Sequence, residues 1–213
     1  QNAEGDLTAV IERAPGVTFA GSNGELSIRG IPETGVTGFG QALTINTNVD
    51  GATFPRLSRR SLTSFSTWDL GQVEVLRGPQ STQTGRNALA GAVIVRSNDP
   101  TYVREGKYQL SYGTQNTGQA ALMYNRPLID DRLALRFSFD ATQTDGDISN
   151  PFLGNDDQDG EWNRTARIGL RWDPTDRFSA ILKYTHNEAS EGAFSNQPGA
   201  GTVNLTPGPS GNS

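Results

Sequence analysis

The second half of the chain alternates between apolar and polar residues with a period of two. Within residues 132–141, every second residue from Leu133 is apolar, and the residues between them include Arg136 and Asp140. Because successive side chains of a β-strand point to opposite faces, this pattern predicts strands with one apolar and one polar face. Five segments show it: residues 107–112, 119–125, 132–141, 165–172 and 178–185.

The length of these segments indicates a membrane protein. With the residues that flank each alternating segment, we expect strands of about 8–12 residues, close to the roughly 9–11 that a tilted strand needs to cross a bilayer, whereas soluble strands average about 5–6. A run of about 18 apolar residues, the mark of a transmembrane helix, is absent from the sequence. A soluble β-sandwich is the alternative, because its strands alternate in the same way. Strand length favours an antiparallel transmembrane β-barrel.

The connections between these segments differ in length. Short links contrast with a long polar stretch at residues 143–162 and an aperiodic Gly/Pro/Asn/Ser-rich stretch at residues 189–213. Outer-membrane barrels combine short periplasmic turns with long external loops. With the links at residues 127–131 and 173–176 as periplasmic turns, the aromatic girdle at one membrane interface is predicted to include Tyr124, Trp172 and Phe178.

The first hundred residues follow another pattern. A helix is predicted that Asp6 caps and that Pro15 and Gly16 end, and its apolar face consists of Leu7, Val10, Ile11 and Ala14. Short β-rich pieces separated by Gly, Pro and Asn/Asp turns follow at residues 17–20, 25–29, 43–49, 72–76 and 92–96. We therefore expect a small α+β domain over residues 1–100, followed by barrel strands and an external loop over residues 101–213.

Composition removes several classes of function. The chain has 213 residues, 18 Lys+Arg against 23 Asp+Glu and a net charge of −5, which argues against a general nucleic-acid binder. It contains no Cys and one His, so disulfide frameworks, thiolate metal sites and multi-histidine sites are not predicted. The one histidine, His186, falls on the apolar face of the last segment, where we expect interfacial packing.

Catalytic and metal-binding templates do not fit either. Residues 78–85 hold six residues between their glycines, whereas a phosphate-binding P-loop needs four, followed by Lys and Ser/Thr. Acidic residues in the long polar stretch raise a calcium hypothesis. It fails because Asn150 stands where an EF-hand loop needs Gly after Asp145, Asp147 and Ser149. We predict no catalytic residue, no resident cofactor and no metal site.

One stretch carries a specific resemblance. Val-Glu-Val-Leu-Arg-Gly-Pro at residues 73–79 is followed by Gly-Arg-Asn-Ala at 85–88 and Gly-Ala-Val-Ile-Val at 91–95. Three earlier matches occur in order: Ala-Pro-Gly-Val at 14–17, Leu-Ser-Ile-Arg-Gly at 26–30 and Val-Asp-Gly at 49–51. Together with the alternating strands, this pattern resembles the plug domain and first barrel strands of TonB-dependent outer-membrane receptors.

The resemblance implies energised uptake of a scarce nutrient across the Gram-negative outer membrane. The expected partners are TonB with its inner-membrane energising complex, outer-membrane lipid and a small-molecule substrate, most simply a ferric siderophore or similar metal chelate. The family's barrel has about 22 strands, so five cannot close it, and the TonB box is expected upstream of residues 1–5. The alternative is a non-transporting interaction or signalling module, a plug-bearing fragment that assembles with other outer-membrane chains.

The resemblance also implies a contact that locks the plug to the barrel. Arg29 and Arg77 each end a strand before Gly, where we expect them to be buried against the wall and paired. In the family, the matching arginines bind carboxylates of later barrel strands. Gly78 and Pro79 are expected to give the second strand a tight exit, because Pro fixes φ and lacks an N–H donor.

By the same resemblance, plug loops near residues 32–41, 53–61 and 68 rise toward the external ligand. Arg56, Arg59 and Arg60 would supply guanidinium groups to carboxylate or phosphate oxygens, although pairing with barrel acids or solvation is an equally good interpretation. Aromatic walls suit the apolar parts of a ligand. The full set of expected ligand-binding residues is Glu33, Phe39, Gln41, Phe54, Arg56, Arg59, Arg60 and Trp68.

Overall fold

The computed structural model describes residues 7–20, 25–33, 43–54, 65–79, 88–145, 160–175 and 177–191. Within these ranges there is one helix, α1 (Leu7–Glu12), and twelve strands in three sheets. The strands of the first part are β1 (Val17–Ala20), β2 (Glu25–Ile28), β3 (Ile31–Pro32), β4 (Ile45–Val49), β5 (Ala52–Phe54), β6 (Leu70–Arg77) and β7 (Gly91–Ser97). Those of the second part are β8 (Glu105–Tyr112), β9 (Gly118–Ile129), β10 (Leu133–Thr144), β11 (Glu161–Thr175) and β12 (Phe178–Glu191).

The first part has a small hydrophobic core beneath α1. Leu7 and Ile11, one helical turn apart, are fully buried, as the helical spacing predicts. They pack in one cluster with Leu26 and Ile28 of β2 and with Val93 of β7. The cluster thus joins the helix to both neighbouring sheets.

Two sheets form this part, one of order β1-β2-β3 and one of order β5-β4-β7-β6. The Asp50–Gly51 turn joins β4 to β5 as expected, whereas β4 pairs in parallel with the distant β7. A Cβ on Gly91 of β7 would lie 2.3 Å from the Leu76 carbonyl oxygen and 2.9 Å from Ile28 Cδ1. The close approach of β6 in the same sheet and of β2 in the other sheet therefore requires the glycine.

The second part is one antiparallel sheet of order β12-β11-β10-β9-β8. All five predicted strands are present, and each is longer than the sequence pattern indicates because it extends beyond its alternating segment at one or both ends. The turn after β9, for example, begins only after Ile129, where the sequence pattern predicts a link from residue 127.

The polar face of this sheet is the buried one. Arg136, Ser138 and Asp140 of β10 are buried, whereas the apolar side chains of the outer strands are exposed: Tyr108 by 80% and Leu182 by 70%. A soluble β-sandwich would bury the apolar face. The inversion is typical of a barrel wall whose outer face contacts lipid.

Aromatic residues mark one end of that outer face. The rings of Trp172 and Phe178 pack edge to face with centroids 5.9 Å apart. Tyr124, predicted to lie with them, instead pairs with Phe137, four residues along β10 from Leu133, the partner of Trp172, so it lies near the middle of β9. No helix among the described residues is long and apolar enough to span a membrane.

Candidate functional site: the contact between the first part and the wall

The chain reaches the wall through a tight turn just before β6. Trp68 N–H donates to Ser66 Oγ at 3.0 Å, and Leu70 N–H donates to the Thr67 carbonyl at 3.3 Å. Asp69 lies inside this turn with a φ of 60°, a left-handed conformation that Asp tolerates better than most residues. The Asp69 carbonyl accepts from Asn98 N–H at 3.1 Å, so the turn is also tied to the end of β7.

A buried ion pair joins this turn to β10. Arg136 donates from Nε to Asp69 Oδ2 at 2.8 Å and from Nη2 to Asp69 Oδ1 at 2.5 Å, and both side chains are only 6% exposed. Its third nitrogen, Nη1, contacts Glu105 Oε1 at 3.1 Å, and Asn98 Nδ2 donates to Asp69 Oδ1 at 2.9 Å. A planar guanidinium matches a carboxylate in this two-point geometry, which fixes direction as well as distance.

The next strand contributes a second guanidinium. Arg167 of β11 donates from Nη1 to the Trp68 carbonyl and from Nη2 to the Ser66 carbonyl, both at 2.7 Å. Trp68 Nε1–H in turn donates to the Leu122 carbonyl of β9 at 3.1 Å. The turn is therefore held by three adjacent wall strands, β9, β10 and β11.

The third wall cation is Lys183 of β12. Its Nζ lies 3.0 Å from Asp50 Oδ1, 2.7 Å from Asp99 Oδ1 and 2.8 Å from the Ser97 carbonyl. Asp50 occupies the β4–β5 turn with a φ of 50° and accepts from Ser97 N–H at 2.9 Å and Ser97 Oγ–H at 2.7 Å. We call Arg136, Arg167 and Lys183, with Asp50 and Asp69, the plug clamp.

Asp50 is ionised under ordinary conditions. Burial opposes its charge, but the hydrogen bonds from Ser97 and the ion pair with Lys183 together hold the pKa of Asp50 below its ordinary value of 3.8. Asp50 therefore faces Lys183 of the wall as an anion.

The segment that leads from β7 into the wall is packed closely too. Asn125 of β9 accepts from Thr101 N–H at 3.0 Å and donates from Nδ2 to the Thr101 carbonyl at 2.9 Å. A Cβ on Gly169 of β11 would lie 3.0 Å from Pro100 Cγ, so the wall needs a small residue where this segment passes. The segment before β8 is therefore held against β9 and β11 where the chain enters the barrel wall.

The two arginines predicted to lock the first part to the wall, Arg29 and Arg77, are not part of the plug clamp. Arg29 and Arg77 are exposed in this chain, where we expected them to be buried. Arg77 Nη1 donates to the Pro15 carbonyl at 2.9 Å. Gly78 follows with a φ of 109°, which confirms the sharp exit of β6 before Pro79. Pairing of the two arginines with barrel carboxylates stays a prediction.

Two of the predicted ligand residues, Glu33 and Trp68, have side chains within the described part of the chain. Glu33 is 1% exposed, and its backbone bonds to Leu26 and Thr44, so its side chain does not face the exterior as expected. The difference arises because Glu33 directly follows β3 and its backbone is bonded to β2 and to the residue before β4, which holds it inside the first part. Trp68 is half-buried against the wall, and its indole N–H donates to the Leu122 carbonyl.

The remaining predicted ligand residues lie outside the described part of the chain. Phe54 ends β5, but its side chain is also outside the description. A ligand role for these residues stays a prediction. They are Phe39, Gln41, Arg56, Arg59, Arg60 and the side chain of Phe54.

Sequence reasoning missed the plug clamp, and it predicted the opposite polarity. The expected contact pairs arginines of the first part with wall carboxylates, whereas the structure pairs wall cations with carboxylates of the first part. A signal was present, because Arg136, Arg167 and Lys183 occupy polar-face positions in the middle of three successive strands. Among the described residues, no group of three or more His, Asp or Glu side chains is arranged to hold a metal ion.

Comparison with known proteins identifies the first part of the chain. Residues 1–92 match the family model of the TonB-dependent Receptor Plug Domain. The chain carries a TonB-dependent receptor plug followed by barrel strands. Receptors of this family are transport proteins, and they sit in the outer membrane of Gram-negative bacteria, which is therefore the location of this chain.

Two curated relatives that are similar to this chain are receptors as well. The chain is 31% identical over 138 residues to the Ferrioxamine B receptor of Salmonella typhimurium, which covers 64% of the chain and 18% of that receptor. It is 28% identical over 129 residues to the Pesticin receptor of Yersinia pestis, covering 61% of the chain and 19% of that receptor. The chain thus spans about a fifth of the length of these relatives.

The fold is that of a solved receptor. The crystal structure of the ferric yersiniabactin uptake receptor from Yersinia pestis superposes with a TM-score of 0.73 at 20% identity, covering 87% of the chain and 29% of that structure. Plug and wall strands therefore have the arrangement of a TonB-dependent receptor over most of the chain.

Proposed function

We propose that this chain belongs to a receptor that takes up a ferric siderophore or similar metal chelate across the outer membrane, energised through TonB. The observation that carries the proposal is the attachment of a plug domain to the polar face of a sheet whose other face is apolar. A wall of this kind separates two aqueous compartments, and the plug blocks the way between them. Such a protein needs no covalent chemistry, only ligand binding coupled to a conformational change.

The substrate class is supported by the relatives and by the plug loops. The matched proteins are named as receptors for ferrioxamine B, pesticin and ferric yersiniabactin. Arg56, Arg59 and Arg60 supply cationic donors for the oxygens of an anionic chelate, and the aromatic residues near them supply apolar walls. TonB would act on a segment upstream of α1, as the family resemblance implies.

In the proposed mechanism, the plug clamp anchors the plug to the barrel wall. The clamp holds the plug to β10, β11 and β12 through the Asp69 turn and the Asp50 turn. A pull on the N-terminal side of the plug would therefore act on a domain that is anchored to the wall by contacts of residues 50–99. We place the boundary between plug and barrel near Pro100, with residues 1–100 as plug and residues 101–213 as wall and external loop.

The test is uptake by the full-length receptor in a Gram-negative host that lacks its own ferric-siderophore receptors. Radiolabelled ferric ferrioxamine B and ferric yersiniabactin are supplied separately, and each assay is repeated in a strain without TonB. We expect accumulation of at least one chelate, and its loss without TonB. Binding without accumulation in either strain would contradict transport and favour the non-transporting interaction module.

A further inference from the structure

A groove lies on the outer face of the wall, at the end of the sheet from which residues 145–160 continue. It spans four strands and follows two rows of paired residues. One row contains Leu110, Ala120, Ala141 and Arg164, and the next row outward contains Tyr112, Gly118, Gln143 and Trp162. We call the space over these residues the outer groove. Its volume is about 730 Å³, within the roughly 300–1,000 Å³ of ordinary small-molecule sites.

The shape of the outer groove is set by strands of this chain. Ala120 and Ala141 pair on β9 and β10 and form a low floor, and a Cβ on Gly118 would have nothing within 4 Å. The next outer-face pair toward the middle of the sheet, Leu122 and Phe139, is large and ends the groove. Both floor strands have their two neighbours in this sheet, whereas further strands of a closed barrel pair at the free edges of β8 and β12. The floor therefore stays open in a complete barrel.

Two tryptophans on β11 place the groove at the external membrane interface. Trp162 and Trp172 lie ten positions apart on the outer face of this strand, which is about 33 Å at roughly 3.3 Å per residue. At a strand tilt of roughly 40°, that distance covers about 25 Å of depth, the height of the apolar band of a barrel. Trp172 packs with Phe178 beside a short turn, so Trp162 marks the opposite interface, where outer-membrane barrels carry their long loops.

Arg164 gives the groove a positive charge at that interface. On the outer faces of β9, β10 and β11, the charged side chains are Arg164 and Arg126, which lies toward the opposite end. The guanidinium carbon of Arg164 lies 5.2 Å from the ring centroid of Trp162, so the charge extends toward the lipid headgroups. No acidic side chain among the described residues forms an ion pair with Arg164, and its register neighbour Glu188 contacts His186 at 3.2 Å. The arrangement therefore suits an anion supplied by a ligand.

We propose that the outer groove binds a phosphorylated lipid of the external leaflet, with one acyl chain on the floor and a phosphate on Arg164. Leu110 and Trp162 form apolar walls for the chain, and phosphate oxygens match the fork of a guanidinium. The acids in the lining, Asp145 and Glu161, lie farther along their strands toward the loop than Arg164. The inference rests on the location in the outer membrane and is independent of the transported substrate.

The test identifies the lipid that the full-length receptor retains when it is purified from outer membranes. Native mass spectrometry distinguishes lipid A, the phosphorylated multi-acyl lipid of the external leaflet, from the glycerophospholipids of the inner leaflet. Ala141→Phe fills the floor, and Arg164→Gln removes the charge. The matched controls are Leu135→Phe, on the outer face of the same strand as Ala141, and Arg126→Gln, at the other end of the sheet.

We expect Ala141→Phe and Arg164→Gln each to retain one molecule of lipid A fewer than the unmodified receptor, and both controls to retain the full number. Unchanged retention in the two groove variants would overturn the proposal, as would an equal loss in the controls. A glycerophospholipid lost in place of lipid A would also overturn it, because the groove lies at the external interface.

Titration of the delipidated receptor tests the phosphate contact by itself. Arg164→Gln should weaken binding of lipid A at least about tenfold and leave binding of dephosphorylated lipid A unchanged, whereas Ala141→Phe should weaken both. An equal effect of Arg164→Gln on both lipids would contradict the proposal, as would an unmodified receptor that binds no lipid A. Ala120→Phe fills the same floor from β9 and replaces Ala141→Phe if that variant unfolds at a lower temperature.

Discussion

Arg136 of the barrel wall binds both carboxylate oxygens of Asp69 in the plug, across 67 residues of sequence and with both side chains buried. The pair satisfies two groups that neither domain could bury by itself. A buried charge is tolerated only when it is paired and hydrogen-bonded, so plug and wall depend on each other at this point.

Removal of one partner should therefore weaken plug attachment severely. We expect Asp69→Asn or Arg136→Met to lower the free energy of plug unfolding in the detergent-solubilised receptor by about 3–5 kcal/mol, because one charge stays buried without its partner. Urea titration with limited proteolysis of the plug measures the change. The double variant should lose less than the sum of the single losses, and strict additivity would show that the two side chains do not interact.

We expect Arg167 to stabilise the plug through its hydrogen bonds to two backbone carbonyls. Arg167→Met leaves the Ser66 and Trp68 carbonyls without their donor, and we expect a loss of about 2–5 kcal/mol in the same titration. Arg164→Ala is the matched control on the opposite face of β11, where the guanidinium packs on Trp162 at 5.2 Å in an exposed position. That control should cost about 1 kcal/mol or less. Equal effects of the two changes would refute the structural role of Arg167.

Gly91 should not accept a larger residue. Gly91→Ala places a methyl group 2.3 Å from the Leu76 carbonyl oxygen, and backbone there cannot move without disturbing β6. We expect the plug to lose about 1–3 kcal/mol of stability. Gly118→Ala, with nothing within 4 Å of the added Cβ, should be neutral, and thermal unfolding of both variants distinguishes the sites.

The Asp50 interactions should weaken in acid. Because the folded pKa of Asp50 lies below 3.8, its ionisation contributes stability that is fully present well above pH 3.8 and is lost as pH falls through the lowered value. The difference in unfolding free energy between the unchanged receptor and Asp50→Asn should be constant from about pH 5 to 8 and shrink below about pH 4. A difference that grows toward low pH would have the wrong sign.

The three plug arginines offer a test of ligand binding. Changing Arg56, Arg59 and Arg60 to Ala should weaken ferric-chelate binding by about tenfold or more, since charge-assisted bonds to the chelate oxygens are lost. Titration calorimetry on the full-length receptor measures this, with Arg104→Ala, an exposed position between β7 and β8, as the control. Unchanged affinity would remove the basic loop from the ligand site and leave the family assignment intact.

The sequence by itself determined the elements whose cause is local. Alternation from Leu133 to Ala141 predicts a two-faced strand, the spacing of Leu7 and Ile11 predicts a helix face, and the Asp50–Gly51 pair predicts a turn. Each depends on residues within a few positions, so the periodicity and the turn chemistry are sufficient. The motif at residues 73–79 also indicates the family that the chain resembles.

Tertiary structure decided the contacts between these elements. The sequence pattern gives Arg136 a place on the polar face of its strand but not a partner, and that partner, Asp69, is reached only after the plug docks on the wall. Resemblance to the family predicted that Arg29 and Arg77 are buried, whereas both are exposed here and the buried cations belong to the wall. Long-range ion pairs depend on how two domains meet, and local spacing carries no record of that geometry.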